Sequence, residues 1–227
     1  MRIVFLALLL FTCAVAAQAQ YPWPDERPGD RERAVLNEDG GRSFTVLPAS
    51  GSLVGMLKPD ASASLDPQQY SIFLGPKWSD PKLHGSEERL GKLLNSVRDH
   101  AQMDELAQAG MTNVYAPTWT IEKLDIAGDR KIGDLEIQSI IREIVKNGAP
   151  PTGDSVFMIY LDPTLQSTLG PLQSGKHYMS YHGYANVSEV RIHYAVVPYQ
   201  ADQKAAYQTA LRTLVVALLH SASEDEH

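Results

Sequence analysis

Seven residues constrain this chain more than any others. Ser155 to Leu161 reads SVFMIYL, and from Val156 onward neither face of a strand built from it carries a charge. A strand with one face in water alternates apolar and polar residues, whereas one that is apolar throughout needs cover on both sides. The segment therefore predicts a central strand between two layers.

Its surroundings supply those layers. Tyr70 to Leu74 (YSIFL) is a second β-rich run, ended by Gly75-Pro76. Leu90, Leu93, Leu94, Val97 and Ala101 recur at helical spacing. Ser86 is the expected cap of that helix, which runs with a break toward Gly110. Val114 to Ile121 predicts another strand. Asp134 is the expected cap of a helix carrying Ile137, Ile140, Ile141, Ile144 and Val145, closed by Gly148 with Pro150 and Pro151 beyond.

Tyr178 to Ala185 and Glu189 to Val197 predict a hairpin about Asn186-Val187-Ser188. In its second arm Val190, Ile192, Tyr194 and Val196 alternate with Arg191, His193 and Ala195, which predicts one buried face. A last helix starts at Asp202 and carries Tyr207, Ala210, Leu211, Leu214 and Leu218 to about His220. Strands alternating with helices predict an α/β fold: a layered mixed sheet with parallel βαβ units, an antiparallel hairpin and a C-terminal helix.

The first twenty residues predict export. Arg2 precedes an apolar run from Ile3 to Leu10, and Ala17-Gln18-Ala19 is a small-residue cleavage site. Gln18 and Gln20 end the apolar stretch too early for a membrane span. The expected organisation is a signal peptide over 1–19, a flexible Pro-, Gly- and charge-rich segment over 20–66, a single α/β domain over 67–222, and an acidic tail over 223–227. Ser43 to Leu47 (SFTVL) is the one short strand expected in the flexible segment. The only cysteine, Cys13, leaves with the signal, so a disulfide scaffold and thiolate metal sites are excluded from the mature chain. The formal net charge of -7 becomes -8 without Arg2, which argues against nucleic acid and anionic membrane surfaces as partners.

The segments FLGPKWSD, FMIYLDP, SYHGYA and HYAVVPY resemble secreted proteins of the exordium, or phosphate-induced protein, type and their bacterial relatives, over about Tyr70 to Tyr199. The resemblance implies an extracellular or periplasmic protein, linked in plants to growth and cell-wall responses, without an agreed enzymatic activity. The chain lacks that family's cysteines, and no functional residue is carried over from it.

Motifs with defined chemistry are missing. There is no G-x-S-x-G elbow, Walker loop, G-x-G-x-x-G or EF-hand loop. His220 and Glu224 share a helical face, but Ser221 stands where a zincin has its catalytic Glu. What remains are scattered groups. Asp80, Asp162 and His182 would serve as an acid-base site if they met in one pocket. Lys77, Trp78 and His84 lie in the loop after the first strand, where open α/β sheets bind ligands. Trp beside Asp suits a sugar. His177 and Tyr181 belong to the His- and Tyr-rich stretch GKHYMSYHGY. Strict alternation puts Tyr178, His182 and Tyr184 on one face and His177 and Tyr181 on the other. His193 on the neighbouring strand meets one of the histidines at most, so no metal site and no cofactor is expected.

The reading is an exported, secreted or periplasmic, non-catalytic α/β protein that binds a cell-envelope glycan or a protein partner. The alternatives are an extracytoplasmic hydrolase at the Asp80, Asp162 and His182 set, or a degenerate metalloprotease-like relative. The mature protein from its native host should begin at Gln20 or Tyr21. Intact mass measurement checks this, and a product that retains Met1 would refute export by cleavage.

Overall fold

The computed structural model describes residues 33–36, 43–47, 64–65, 68–99, 113–114, 118–148, 155–187 and 190–223. In chain order these form β1 (Arg33–Leu36), β2 (Ser43–Leu47), β3 (Ser64–Leu65), β4 (Gln68–Leu74), α1 (His84–Gly91), α2 (Leu93–Asp99), β5 (Asn113–Val114), β6 (Thr118–Leu124) and β7 (Arg130–Gly133). Then come α3 (Asp134–Asn147), β8 (Ser155–Leu161), β9 (Leu165–Leu169), β10 (Leu172–Gln173), β11 (Ser180–Val187), β12 (Val190–Val197) and α4 (Gln203–Ser223). Two short 3-10 turns, Pro76–Ser79 and Pro81–Leu83, join β4 to α1.

The main sheet has the order β1-β2-β11-β12-β8-β4-β6. Its half from β12 through β8 and β4 to β6 is parallel, and β1, β2, β11 and β12 pair antiparallel. This is the expected mixed α/β sheet. All seven residues of β8 are buried. Val156, Met158 and Tyr160 enter a core with α1, α2 and α4, while Phe157, Ile159 and Leu161 enter a second core with α3 on the other face. The two crossovers, from β4 to β6 and from β6 to β8, thus use opposite faces.

A buried amide shapes the first crossover. At the break between α1 and α2 the helical bond from Leu94 N–H to the Leu90 carbonyl is absent. Gln69 takes its place, with Nε2 donating to Leu90 O at 2.9 Å and Oε1 accepting from Leu94 N at 2.7 Å. The Tyr160 hydroxyl also donates to Leu90 O, at 3.1 Å. A side chain inserted into the helical ladder is a recognised cause of a kink.

Several local expectations are corrected. Ser86 is not the helix cap: α1 begins at His84, and Ser86 Oγ instead bonds Gln203 Oε1. Asp134 is the first residue of α3 rather than its cap, which is Gly133, and its carboxylate turns into the core. The strand expected over Val114 to Ile121 is not one element: Val114 belongs to β5, which pairs with β3, and Thr118 onward to β6 of the main sheet. The loop expected after the third strand holds β9 and β10, which join β7 in a three-stranded sheet. Leu165, Leu169 and Leu172 are buried there in the α3 core.

Both faces of β12 are covered, not one, because α4 packs over His193, Ala195 and Val197. The main sheet also draws β1 and β2 from the segment read as a flexible tail, so the α/β unit starts before residue 67. β2 occupies the outer edge of β11, which an exposed edge would otherwise leave open to unwanted pairing. The helix expected from Ala101 to Gly110 and the acidic residues 224–227 lie outside the described residues. Among the described residues no helix is long and apolar enough to cross a membrane.

Ile159 is fully buried in β8. Ile159→Ala should cost ~2–5 kcal/mol and Ile159→Val ~0.5–1.5 kcal/mol, read by urea unfolding. Equal midpoints for the native protein and Ile159→Ala would contradict a core position.

Candidate functional site

Four places gather the chemistry-bearing side chains. The first is the carboxyl end of the parallel strands. Asp162 follows β8 and is fully buried. Its Oδ2 accepts from Lys77 N at 2.7 Å, and its Oδ1 accepts from Thr164 N at 2.8 Å and Thr164 Oγ1 at 2.6 Å. Gly75, at φ 111°, leaves room for it: a Cβ there would stand 2.4 Å from Asp162 Cγ. Gly75 N in turn donates to Leu124 O, and Asp162 N to Leu74 O, both at 3.0 Å. The carboxylate therefore ties the loops after β4 and β8 together, and the Gly75 backbone bond adds the end of β6.

The other loop candidates divide between surface and core. Asp80 is exposed and accepts from Lys82 N at 2.9 Å, which makes it the cap of the second 3-10 turn. The Lys77 side chain is exposed, and only its backbone N–H is engaged with Asp162. His84 is exposed beside Glu87, at 3.8 Å, while Glu87 is held by Lys123 Nζ at 2.7 Å. Trp78 is only 4% exposed. Its ring packs edge-on against Phe73, and its Nε1 donates to Tyr160 O at 3.2 Å. So Trp78 is a wall residue, without the free ring face a stacking sugar requires.

Next to Trp78 a cleft opens at the carboxyl ends of β8 and β12. Leu90, Tyr160, Leu161, Val197 and Pro198 form its apolar walls, and Ser86, Tyr199, Gln200 and Gln203 its polar ones. It encloses about 310 Å³ of space continuous with solvent, with a narrow interior sized for one water-like group. Gln200 Nε2 is buried there with no hydrogen-bond partner, and turning the amide over would present its oxygen instead. Sequence reading passed over Gln200 and Gln203 because isolated glutamines carry no motif.

The third place is a buried acid among phenols. Asp134 Oδ1 accepts from Tyr181 at 2.9 Å and Tyr194 at 2.6 Å, and its Oδ2 accepts from Gln138 Nε2 at 2.6 Å. Burial first, and then the Asp134 charge, push the Tyr181 phenol well up, so it stays protonated and donates. Tyr178 belongs here too. It precedes β11, packs edge-on against Tyr181 and bonds Ser167 at 2.8 Å, so it does not share the His182 face that strict alternation assigned to it. Tyr181 is thus a core staple rather than a ligand contact. His177 is exposed and closes a turn, its Nδ1 accepting from Gln173 N at 3.0 Å.

The fourth place was missed as a unit. His182 on β11, His193 on β12 and His220 on α4 meet between sheet and helix. His182 Nε2 lies 3.2 Å from His193 Nδ1, and His182 Nδ1 lies 3.0 Å from His220 Nδ1. The rings stack, with centroids 5.4 and 4.8 Å apart. Burial above all, then the His220 and His193 rings, hold His182 well below the usual histidine range. The central ring turns a different nitrogen to each neighbour, so the three do not point at one ion. Among the described residues no group of His, Cys, Asp and Glu is placed to hold a metal. The available signal was Thr213 and His220 on α4, two helical turns apart and both facing β11, where Thr213 also bonds Ser180 at 2.7 Å.

The expected acid-base set does not assemble. His182 pairs with Ala195, which pairs with Met158, and Asp162 lies four residues further along. Two strand spacings and four residues put His182 and Asp162 ~16 Å apart. No family model matches this chain, and neither a curated protein nor a solved structure is significantly similar to it.

Asp162→Ala leaves three donors without their charged acceptor, and should lower stability by roughly 1.5–3 kcal/mol in thermal unfolding. Unchanged or raised stability would point to a catalytic rather than a structural carboxylate.

Proposed function

We propose that this chain is an exported, non-catalytic binding protein whose cleft at the ends of β8 and β12 takes a neutral, hydroxyl-bearing component of the cell envelope, such as a glycan. One observation carries the reading. The polar groups of the cleft are amides and hydroxyls, from Ser86, Tyr199, Gln200 and Gln203, and one of them, Gln200 Nε2, is buried and unmatched. A buried donor of this kind costs about 1–3 kcal/mol until an acceptor arrives. A neutral lining favours no ion, and apolar walls with a few placed hydrogen-bonding groups are what small-molecule sites are made of. The interior admits a single hydroxyl, so the rest of the ligand rests on the rim.

Export is part of the same proposal and rests on the Ala17-Gln18-Ala19 signal. So is the likeness to exordium-type proteins, which agrees with an extracytoplasmic, non-enzymatic role. The hydrolase reading at Asp80, Asp162 and His182 loses support because those groups cap a turn, tie loops and lie beneath α4, respectively. No observation favours the metalloprotease-like reading.

Titration of the labelled protein with a neutral oligosaccharide such as chitohexaose should shift the side-chain amides of Gln200 and Gln203 and the Trp78 indole. Gln200→Ala should weaken binding about tenfold, the loss of one good hydrogen bond. No shift at millimolar oligosaccharide would defeat the glycan proposal, and cleavage of the probe would favour the enzyme instead.

A further inference from the structure

The histidine cluster joins three elements that are distant in sequence, and its chemistry depends on how many hydrogens it can hold. Each N···N contact accommodates one hydrogen between two nitrogens. Three neutral rings meet that condition when His220 Nδ1–H donates to His182 Nδ1 and His182 Nε2–H donates to His193 Nδ1. The two contacts hold one hydrogen each, and the outer Nε2 atoms of His193 and His220 hold one each at most. That makes four, one more than three neutral rings carry. A second added proton sets N–H against N–H in one contact and breaks it.

Neighbouring side chains do not relieve this. β8, β11, β12 and α4 contain no Asp or Glu, and β2, paired with β11 beside His182, contains no ionisable residue. The cations on these elements are Arg191, whose guanidinium lies over the Tyr184 ring at 4.7 Å, and Lys204 and Arg212 on α4. The phenols on these elements are Tyr160, Tyr181, Tyr184, Tyr194 and Tyr207, and Tyr181 and Tyr194 turn to the opposite face toward Asp134. α2 packs against α4 and ends in Arg98 and Asp99. α1, with His84, Glu87, Glu88 and Arg89, meets α4 through Ser86 at Gln203, roughly 25 Å from His220 along the helix. Glu224, Asp225, Glu226 and His227 follow α4 in sequence. An acid beside His220 would favour the first proton and leave the second no better placed.

We propose that the His182–His193–His220 chain is a pH-operated latch, which holds the end of α4 on the β11–β12 hairpin at neutral pH and releases it on mild acidification. Docked rings bind one added proton at most, whereas freed rings bind three, each with an ordinary value near 6.5. Below that pH the released state binds more protons than the docked one, so docking is complete above it and is lost as pH falls. The difference of two protons makes the released fraction rise by up to roughly 100-fold per pH unit. Burial, which holds His182 neutral, acts in the same direction. Release is confined to the turns beyond Ala217. Upstream, the Thr213–Ser180 bond does not titrate, and Ala210, Leu211, Leu214 and Val215 stay in the core.

Amide hydrogen exchange on the full chain at pH 7.5 and 5.5, corrected for the intrinsic rate, tests this. Protection of the 218–223 amides should fall at least about tenfold at the lower pH. The α3 amides from Ile137 to Val145 should hold. His220→Asn keeps a hydrogen-bonding atom near the Nδ1 position but cannot titrate, and should abolish the response. Equal protection of 218–223 at the two pH values would overturn the latch. So would an equal loss in α3, or a full response in His220→Asn. Independently of any variant, proton resonances of the three rings should show no more than one added proton while α4 stays protected. Two rings titrating with α4 still docked would also refute it.

Discussion

A strand without charge on either face has to be covered twice, and the rest of this molecule is arranged around meeting that need for β8. Val156, Met158 and Tyr160 call for α1, α2 and α4 on one side, and Phe157, Ile159 and Leu161 call for α3 and the small sheet on the other. Because both flanking strands, β4 and β12, run parallel to β8, their carboxyl ends emerge together at one edge. That common edge is where the loop tied by Asp162 and the cleft of Gln200 and Gln203 are found. The position of the candidate site is therefore a consequence of how β8 is buried.

Burying a sheet on both faces also buries polar groups, and the way they are matched separates structure from function. Gln69 stands in for a missing helical bond, Asp162 gathers three donors, and Asp134 is enclosed by two phenols and an amide. Groups so fully engaged have little left to offer a substrate, since drawing them away costs the bonds they already make. Gln200 differs because its buried nitrogen is unmatched. The proposed binding role of the cleft rests on that contrast.

The histidines are matched in another way, by one another. Imidazole pairs satisfy burial only while each contact holds a single hydrogen, so they stabilise the neutral form of the cluster. The carboxylate staple at Asp162 is matched instead by two backbone N–H groups and the Thr164 hydroxyl.

Much of the architecture was legible in local patterns. β8, α3, α4 and the β11–β12 hairpin follow from apolar runs, helical spacing and turn residues, which act over a few positions. Asp202 caps α4 as its sequence position suggests, through Lys204 N and Ala205 N. Legibility failed where a side chain had a choice between a local and a distant partner. Ser86 and Asp134 have the form of caps, yet Gln203 and Tyr181 take them, because burial makes the distant bond the stronger one. β12 was read as half-exposed because its alternation is real, but α4 lies over its more polar face. His182, His193 and His220 were each visible, and strand parity could separate His182 from Tyr181. Their convergence depends on how α4 crosses β11 and β12, which no local pattern encodes. The sequence by itself thus determined which segments form strands and helices and which strand lies at the centre. Only the tertiary structure decided which polar groups meet, because that depends on contacts between residues far apart in the chain.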